Sequence, residues 1–116
     1  MPGPRQGFVD RIGGSVPAFT LLGFNTSGDH TIVTPSYGHR IRVIQCALLA
    51  HGAVFVYFRS GAGGTALTGS IPMTLNTGFV LNFSNAGWFE TADGETLEIN
   101  LSGDQYVGGV LAYVEI

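Results

Sequence analysis

The stretch Thr96-Leu97-Glu98-Ile99-Asn100-Leu101 decides the fold class. Leu97, Ile99 and Leu101 fall on one side of an extended chain and Glu98 and Asn100 on the other, the period of two that a half-buried strand requires. In a helix Ile99 would point away from both leucines. Just upstream, Asp93-Gly94 carries a strong two-residue hairpin signal, because a type I′ turn needs positive φ at both central positions.

Working outward, short apolar runs recur between turn signals from Gly28 to the end. His30 to Thr34 stops at Pro35. Arg40 to Ala50 is long and apolar and closes at His51-Gly52, after which Val54 to Ser60 follows as a hairpin partner. Gly61-Ala62-Gly63-Gly64-Thr65 reads as a flexible loop. Ile71 to Leu75, Phe79 to Phe83 and Trp88 to Thr91 are brief strands, and Val107 to Ile116 is the last. About eight strands with no helical period predict an all-β, jelly-roll-like antiparallel sandwich in a single domain. Alternation points Val54, Val56 and Phe58 inward, with Phe79, Leu81 and Phe83, and with Val110, Ala112, Val114 and Ile116. Arg40 to Ala50 changes phase, since Ile41 and Val43 share one face and Ile44, Cys46 and Leu48 the other. A β-bulge near Val43, or burial of both faces, accounts for that. Trp88, between two short strands, is expected in the core or sealing a strand edge.

Residues 1–27 differ in kind. Pro2, Pro4 and Pro17 with Gly3, Gly7, Gly13, Gly14 and Gly23 exclude a long strand or helix. Yet Phe8, Val9, Ile12, Val16, Phe19, Leu21, Leu22 and Phe24 are too apolar for a solvated linker. The expected organisation is an extended docking arm, 1–27, followed by a sandwich, 28–116.

Charged residues are 11% of the 116-residue chain, against roughly 25% in an ordinary soluble domain, so part of the surface is expected to meet something other than water. Every base is an arginine: Arg5, Arg11, Arg40, Arg42 and Arg59. With Asp10 and Asp29 they give +3 up to residue 60, while Glu90, Asp93, Glu95, Glu98, Asp104 and Glu115 give −6 beyond it. An acidic chain with scattered arginines and no basic run argues against nucleic acid. The sequence has no apolar run of membrane-span length and opens without a signal peptide's apolar core, which predicts a cytosolic product with no membrane partner.

Candidate chemistry is sparse. Cys46 with His39 or His51 invites a thiol and its base, but Cys46 lies inside an apolar strand. No histidine pair has zinc-ligand spacing. Asp93, Glu95 and Asp104 match no calcium loop. The glycine loop lacks the lysine and the helix of a phosphate site. No enzyme and no cofactor are expected. The candidate interface comprises Phe8, Val9, Ile12, Phe19 and Phe24 of the arm, Arg40 and Arg42, and the aromatics that alternation turns outward, Phe55, Tyr57 and Tyr113, with Arg59 beside them. Aromatic and arginine side chains dominate protein interfaces, and planar rings also stack on sugars.

The runs Arg40-Ile41-Arg42-Val43, Gly61 through Gly69 with Ala66-Leu67-Thr68, Gly87 through Glu95, and Leu97 through Gly103 resemble small β-sandwich decoration, or cement, proteins of tailed bacteriophage capsids. The resemblance spans residues 29–116 as a pattern of strands and turns, with no signature motif. It implies a structural protein made in the host cytoplasm and carried on the outer capsid surface of the virion. Its implied partners are the major capsid protein and further copies of itself, as a dimer or trimer. A carbohydrate-binding or host-attachment module of a phage tail or fibre is the alternative.

Overall fold

Leu97, Ile99 and Leu101 are fully buried, as their alternation requires, in a strand at the middle of one sheet. The computed structural model describes residues 16–116. Among these the strands are β1 (Ala18–Phe24), β2 (Gly28–Val33), β3 (Ile41–Ala50), β4 (Val54–Ser60), β5 (Thr65–Ala66), β6 (Ile71–Met73), β7 (Thr77–Leu81), β8 (Phe89–Glu90), β9 (Leu97–Leu101) and β10 (Val107–Glu115).

All pairings are antiparallel and fall into two sheets. The first runs β1-β10-β3-β7, with β8 also on β3; the second runs β2-β9-β4-β5, with β6 also on β4. With the two-residue β5 and β8 set aside, the remaining eight strands follow jelly-roll order: every connection crosses between the sheets except β4 to β6, and the first strand lies beside the last. The core between the sheets holds Val54, Val56 and Phe58 of β4, the β9 triplet, and Ile41, Val43, Cys46, Leu48 and Ala50 of β3.

The phase change in β3 is a bulge. Gln45 lies opposite Ala112 and Val43 opposite Tyr113, so Ile44 is the extra residue. Val43 and Cys46 thereby both reach the core, while Ile44 turns to the other face and joins Ala112 and Val114.

Four expectations are corrected. Ala18–Phe24 is a seven-residue strand with Leu22 buried, so the part of residues 1–27 from Ala18 onward belongs to the sandwich's own first sheet. Pro17 precedes the strand instead of breaking it. The segment β10 has the opposite phase: Val107 and Leu111 fill the core between the sheets with Tyr113 against it, whereas Ala112 and Val114, buried with Ile44 in a second cluster, and the exposed Val110 lie on the sheet's other face. His51-Gly52 and Asp93-Gly94 are not hairpins, because each connection passes from one sheet to the other. At the second, Glu95 N–H bonds the Ala92 carbonyl, and only Gly94 has positive φ, 77°. Finally, β7 ends at Leu81 and Phe83 is exposed.

Candidate functional site

Opposed residues in antiparallel strands share a face, and the register of the first sheet lines up Leu21, Val110, Ala47 and Val80 across all four strands. None of the four is charged, and Leu21 is 82% and Val80 63% exposed. Phe19, 69% exposed, flanks the row on one side, and Leu49, 55% exposed, on the other. The row beyond is Gly23, Gly108, Leu49 and Gly78. Here Tyr106 lies over the backbone: a Cβ at Gly108 would meet its ring at 2.8 Å, so glycine is what lets the ring settle. Two shallow depressions result, one of about 440 Å³ beside Tyr106 and His51, the other of about 520 Å³ beside Ala47, Gly78 and Val80. Leu49 borders both.

Charge appears on this sheet only at its other end. Arg42 Nε donates to Glu90 at 2.9 Å, and Arg40 reaches Glu90 at 3.3 Å and Asp93 at 3.5 Å. The opposite polarity of the two halves of the sequence is thus partly folded against itself.

The outer face of the second sheet is built differently. Asp29 accepts from Asn100 Nδ2 at 2.7 Å, from Gly63 N–H at 2.7 Å and from Arg59 Nη1 at 3.1 Å. Burial by itself would raise the Asp29 carboxyl; the bonds from Asn100, Gly63 and Arg59, with the guanidinium charge, outweigh it and hold the group below its usual 3.8. Arg59 also donates to the Gly64 carbonyl at 2.9 Å, so the glycine loop is tied down at two points. Glu98, expected to face solvent, is 2% exposed and accepts from Thr31 and Thr96 hydroxyls at 2.6 Å each.

The interface residues expected from sequence are therefore dispersed. Phe19 stands on the apolar face. Phe24 packs against the core and stacks on His30, 4.7 Å between ring centres. Arg40 and Arg42 are ion-paired, and Arg59 is enclosed by Asp29 and covers the Tyr57 ring at 5.3 Å. Phe55 is exposed on the second sheet, and Tyr113 is inward. Phe8, Val9 and Ile12 lie outside the described residues. The residues that make the apolar face, Leu21, Leu49, Val80 and Val110, escape the sequence reading. Their signal is the lack of charge at both alternating positions of β3 beyond Arg42 and of β7.

The sulfur of Cys46 is in the core, and burial pushes its thiol up to about 12. Asp93 faces Arg40, Glu95 takes the Ser60 hydroxyl and Asp104 takes the Ser27 N–H at 2.8 Å, so these three carboxylates do not converge. Among the described residues no three His, Cys, Asp or Glu side chains gather as metal ligands do. Trp88 is half-exposed rather than in the core; its indole N–H donates to the Asn82 carbonyl at 2.8 Å, and it borders a groove of about 340 Å³ with Phe58, Phe79 and Phe89.

Compared with known proteins, the chain matches no family model and no curated protein sequence.

Proposed function

We propose that this chain is a structural virion protein, a decoration or cement protein that binds the outside of a phage head and stabilises it, without catalysis. The observation that carries the reading is the open apolar face of the first sheet around Leu21, Val110 and Val80. Contiguous uncharged surface of this kind marks a protein contact. The jelly roll, a fold that builds viral capsid domains as well as lectins, is compatible with it but does not by itself assign a function. The strand-and-turn resemblance to cement proteins supports a capsid location, with the major capsid protein as the proposed partner.

The sugar-binding alternative would draw on the aromatic groove beside Trp88. Thr68 is the only hydroxyl or amide side chain other than the indole in its lining, and recognition of a sugar calls for several directional polar groups. The test is the protein's abundance in purified virions by quantitative mass spectrometry, with co-sedimentation on heads that lack it. A copy number comparable to that of the shell protein, and heads that resist heat better once decorated, are expected. A few copies per particle would place the chain in the tail or a fibre and end the cement reading.

A further inference from the structure

Each sheet of a sandwich ends in strands whose outward N–H and C=O groups can take another strand, and natural sheets guard such edges with charge, proline, bulges or brevity. Among the described residues, three of the four edges carry a guard. In the second sheet β6 has Pro72 at its centre and β5 is two residues long, while β2 carries Asp29 and breaks register between Thr31 and Val33. In the first sheet β7 is five residues long, and just past its end the Trp88 indole takes the Asn82 carbonyl. The remaining edge is β1, which has seven residues, an unbroken register against β10, and neither a charge nor a proline within it.

The ladder fixes which backbone groups of β1 point outward. The His51 N–H donates to the Tyr106 carbonyl, and an antiparallel pair bonds at alternate residues, so Gly108, Val110 and Ala112 turn their backbone groups to β3. Val107, Gly109, Leu111 and Tyr113 then turn theirs to β1, where they meet Phe24, Leu22, Thr20 and Ala18. Phe19, Leu21 and Gly23 are left with N–H and C=O directed away from the sheet.

The sequence that leads into this edge has the matching phase. Gly13-Gly14 is a two-residue hairpin signal, and such a turn makes the residues on either side of it, Ile12 and Ser15, a hydrogen-bonded pair. Ser15 has the same phase as Phe19 and Leu21, so the turn directs the preceding residues onto the outward groups of β1. Counting back, Phe8 falls opposite Phe19 and Gln6 opposite Leu21, each pair placed to exchange two bonds. Asp10 falls opposite Pro17, in line with Val114, Arg42 and Glu90, where the sheet already carries its charge. Pro17 has no N–H to give, and an outward position on an edge is where a sheet tolerates that.

We infer that residues 5–12 of this chain fold back through a Gly13-Gly14 turn and add to the free edge of β1 as a further strand of the first sheet. The added strand closes the unguarded edge and sets Phe8 beside Phe19. It leaves the face around Leu21, Val110 and Val80 open, and it forms whatever that face binds.

Amide hydrogen exchange, followed by NMR on the full chain, tests it. Gly78 and Val80 serve as reference, because the same alternation points their N–H groups outward from the edge of β7. The Phe19 and Leu21 amides should exchange about a hundredfold more slowly than these two. The Val9 and Ala18 α-protons, facing each other in a close pair without hydrogen bonds, should show a nuclear Overhauser contact. Gly13→Val, which opposes the positive φ of the turn, and separately Phe8→Pro, which removes a ladder donor, should each return Phe19 and Leu21 to the reference rate. Thr20 and Leu22 should keep their protection in both variants, which shows that the sandwich itself is intact. Fast exchange at Phe19 and Leu21 in the wild type overturns the inference, as does protection that both variants leave unchanged. So does protection that falls on dilution, which gives the edge to a second copy, or that arises only on phage heads, which gives it to the shell.

Discussion

The two outward faces of the sandwich are made from similar strands and end in opposite chemistry. On the second sheet the outward side chains satisfy one another: Asp29 gathers Arg59, Asn100 and Gly63, and Glu98 gathers Thr31 and Thr96. Such a surface has few bonds left to offer a partner, and stripping water from it gains little. On the first sheet the outward side chains around Leu21, Val110 and Val80 are hydrocarbon, and water is the poorest neighbour they can have. The contrast separates stability from association: the polar face holds its own sheet together, and the apolar face is left for another molecule.

The comparison breaks most easily at β10, whose phase decides which side chains face out. Leu111→Ala should cost about 2–5 kcal/mol in chemical denaturation, as a fully buried leucine does, and Val110→Thr less than about 1 kcal/mol. The reverse order would put Val110 in the core and remove the centre of the apolar face. Next in size is Asp29→Ala, expected to cost about 2–3 kcal/mol because it leaves Arg59, Asn100 and the Gly63 N–H without their acceptor. A loss no greater than that of an ordinary surface change would mean that the polar face does not brace its sheet.

Acid sharpens the same point. The folded Asp29 carboxyl titrates below its usual 3.8, so its contribution is complete above that value and is lost as the pH falls through the lower folded value. Glu115, lowered by the Ser36 backbone N–H, adds a contribution of the same sign. Urea midpoints measured from neutral pH down to about pH 3 should fall less steeply in Asp29→Asn than in the wild type. The smallest effect belongs to the apolar face: Val80→Ser should change the stability of the isolated protomer by no more than about 0.5 kcal/mol, measured at dilutions where any oligomer has dissociated. A larger loss would show that the face is braced within its own chain.

Much of the fold was legible where one alternating set is apolar and the other polar. That holds for β9, and the bulge in β3 announced itself because a run of ten residues could not keep one phase. Legibility failed where both sets are apolar. In β10, Val107 and Leu111 compete with Val110, Ala112 and Val114, and period-two reasoning has no basis for preferring either. The apolar face was missed with it, since Val110 was assigned to the core and Tyr113 to the surface. Strand β1 was hidden because Pro17 and Gly23 read as breakers, although one sits just outside the strand and the other lies beneath Tyr106. Turn signals at Gly52 and Gly94 mark where the chain bends but carry no information on which sheet receives it.

Cys46 is the chain's single cysteine, fully buried on β3 between Leu111 and Leu81, with its thiol pushed up to about 12. Thiol reagents attack the thiolate, and the native protein at neutral pH presents almost none of it and no path to reach it. Modification must therefore wait until the centre of the first sheet opens. Its rate relative to that of a free thiol gives the opening equilibrium directly, residue-specifically and without an added probe. The same clock, run in the free protein and in an assembled particle, would read how much assembly slows the opening of the sheet.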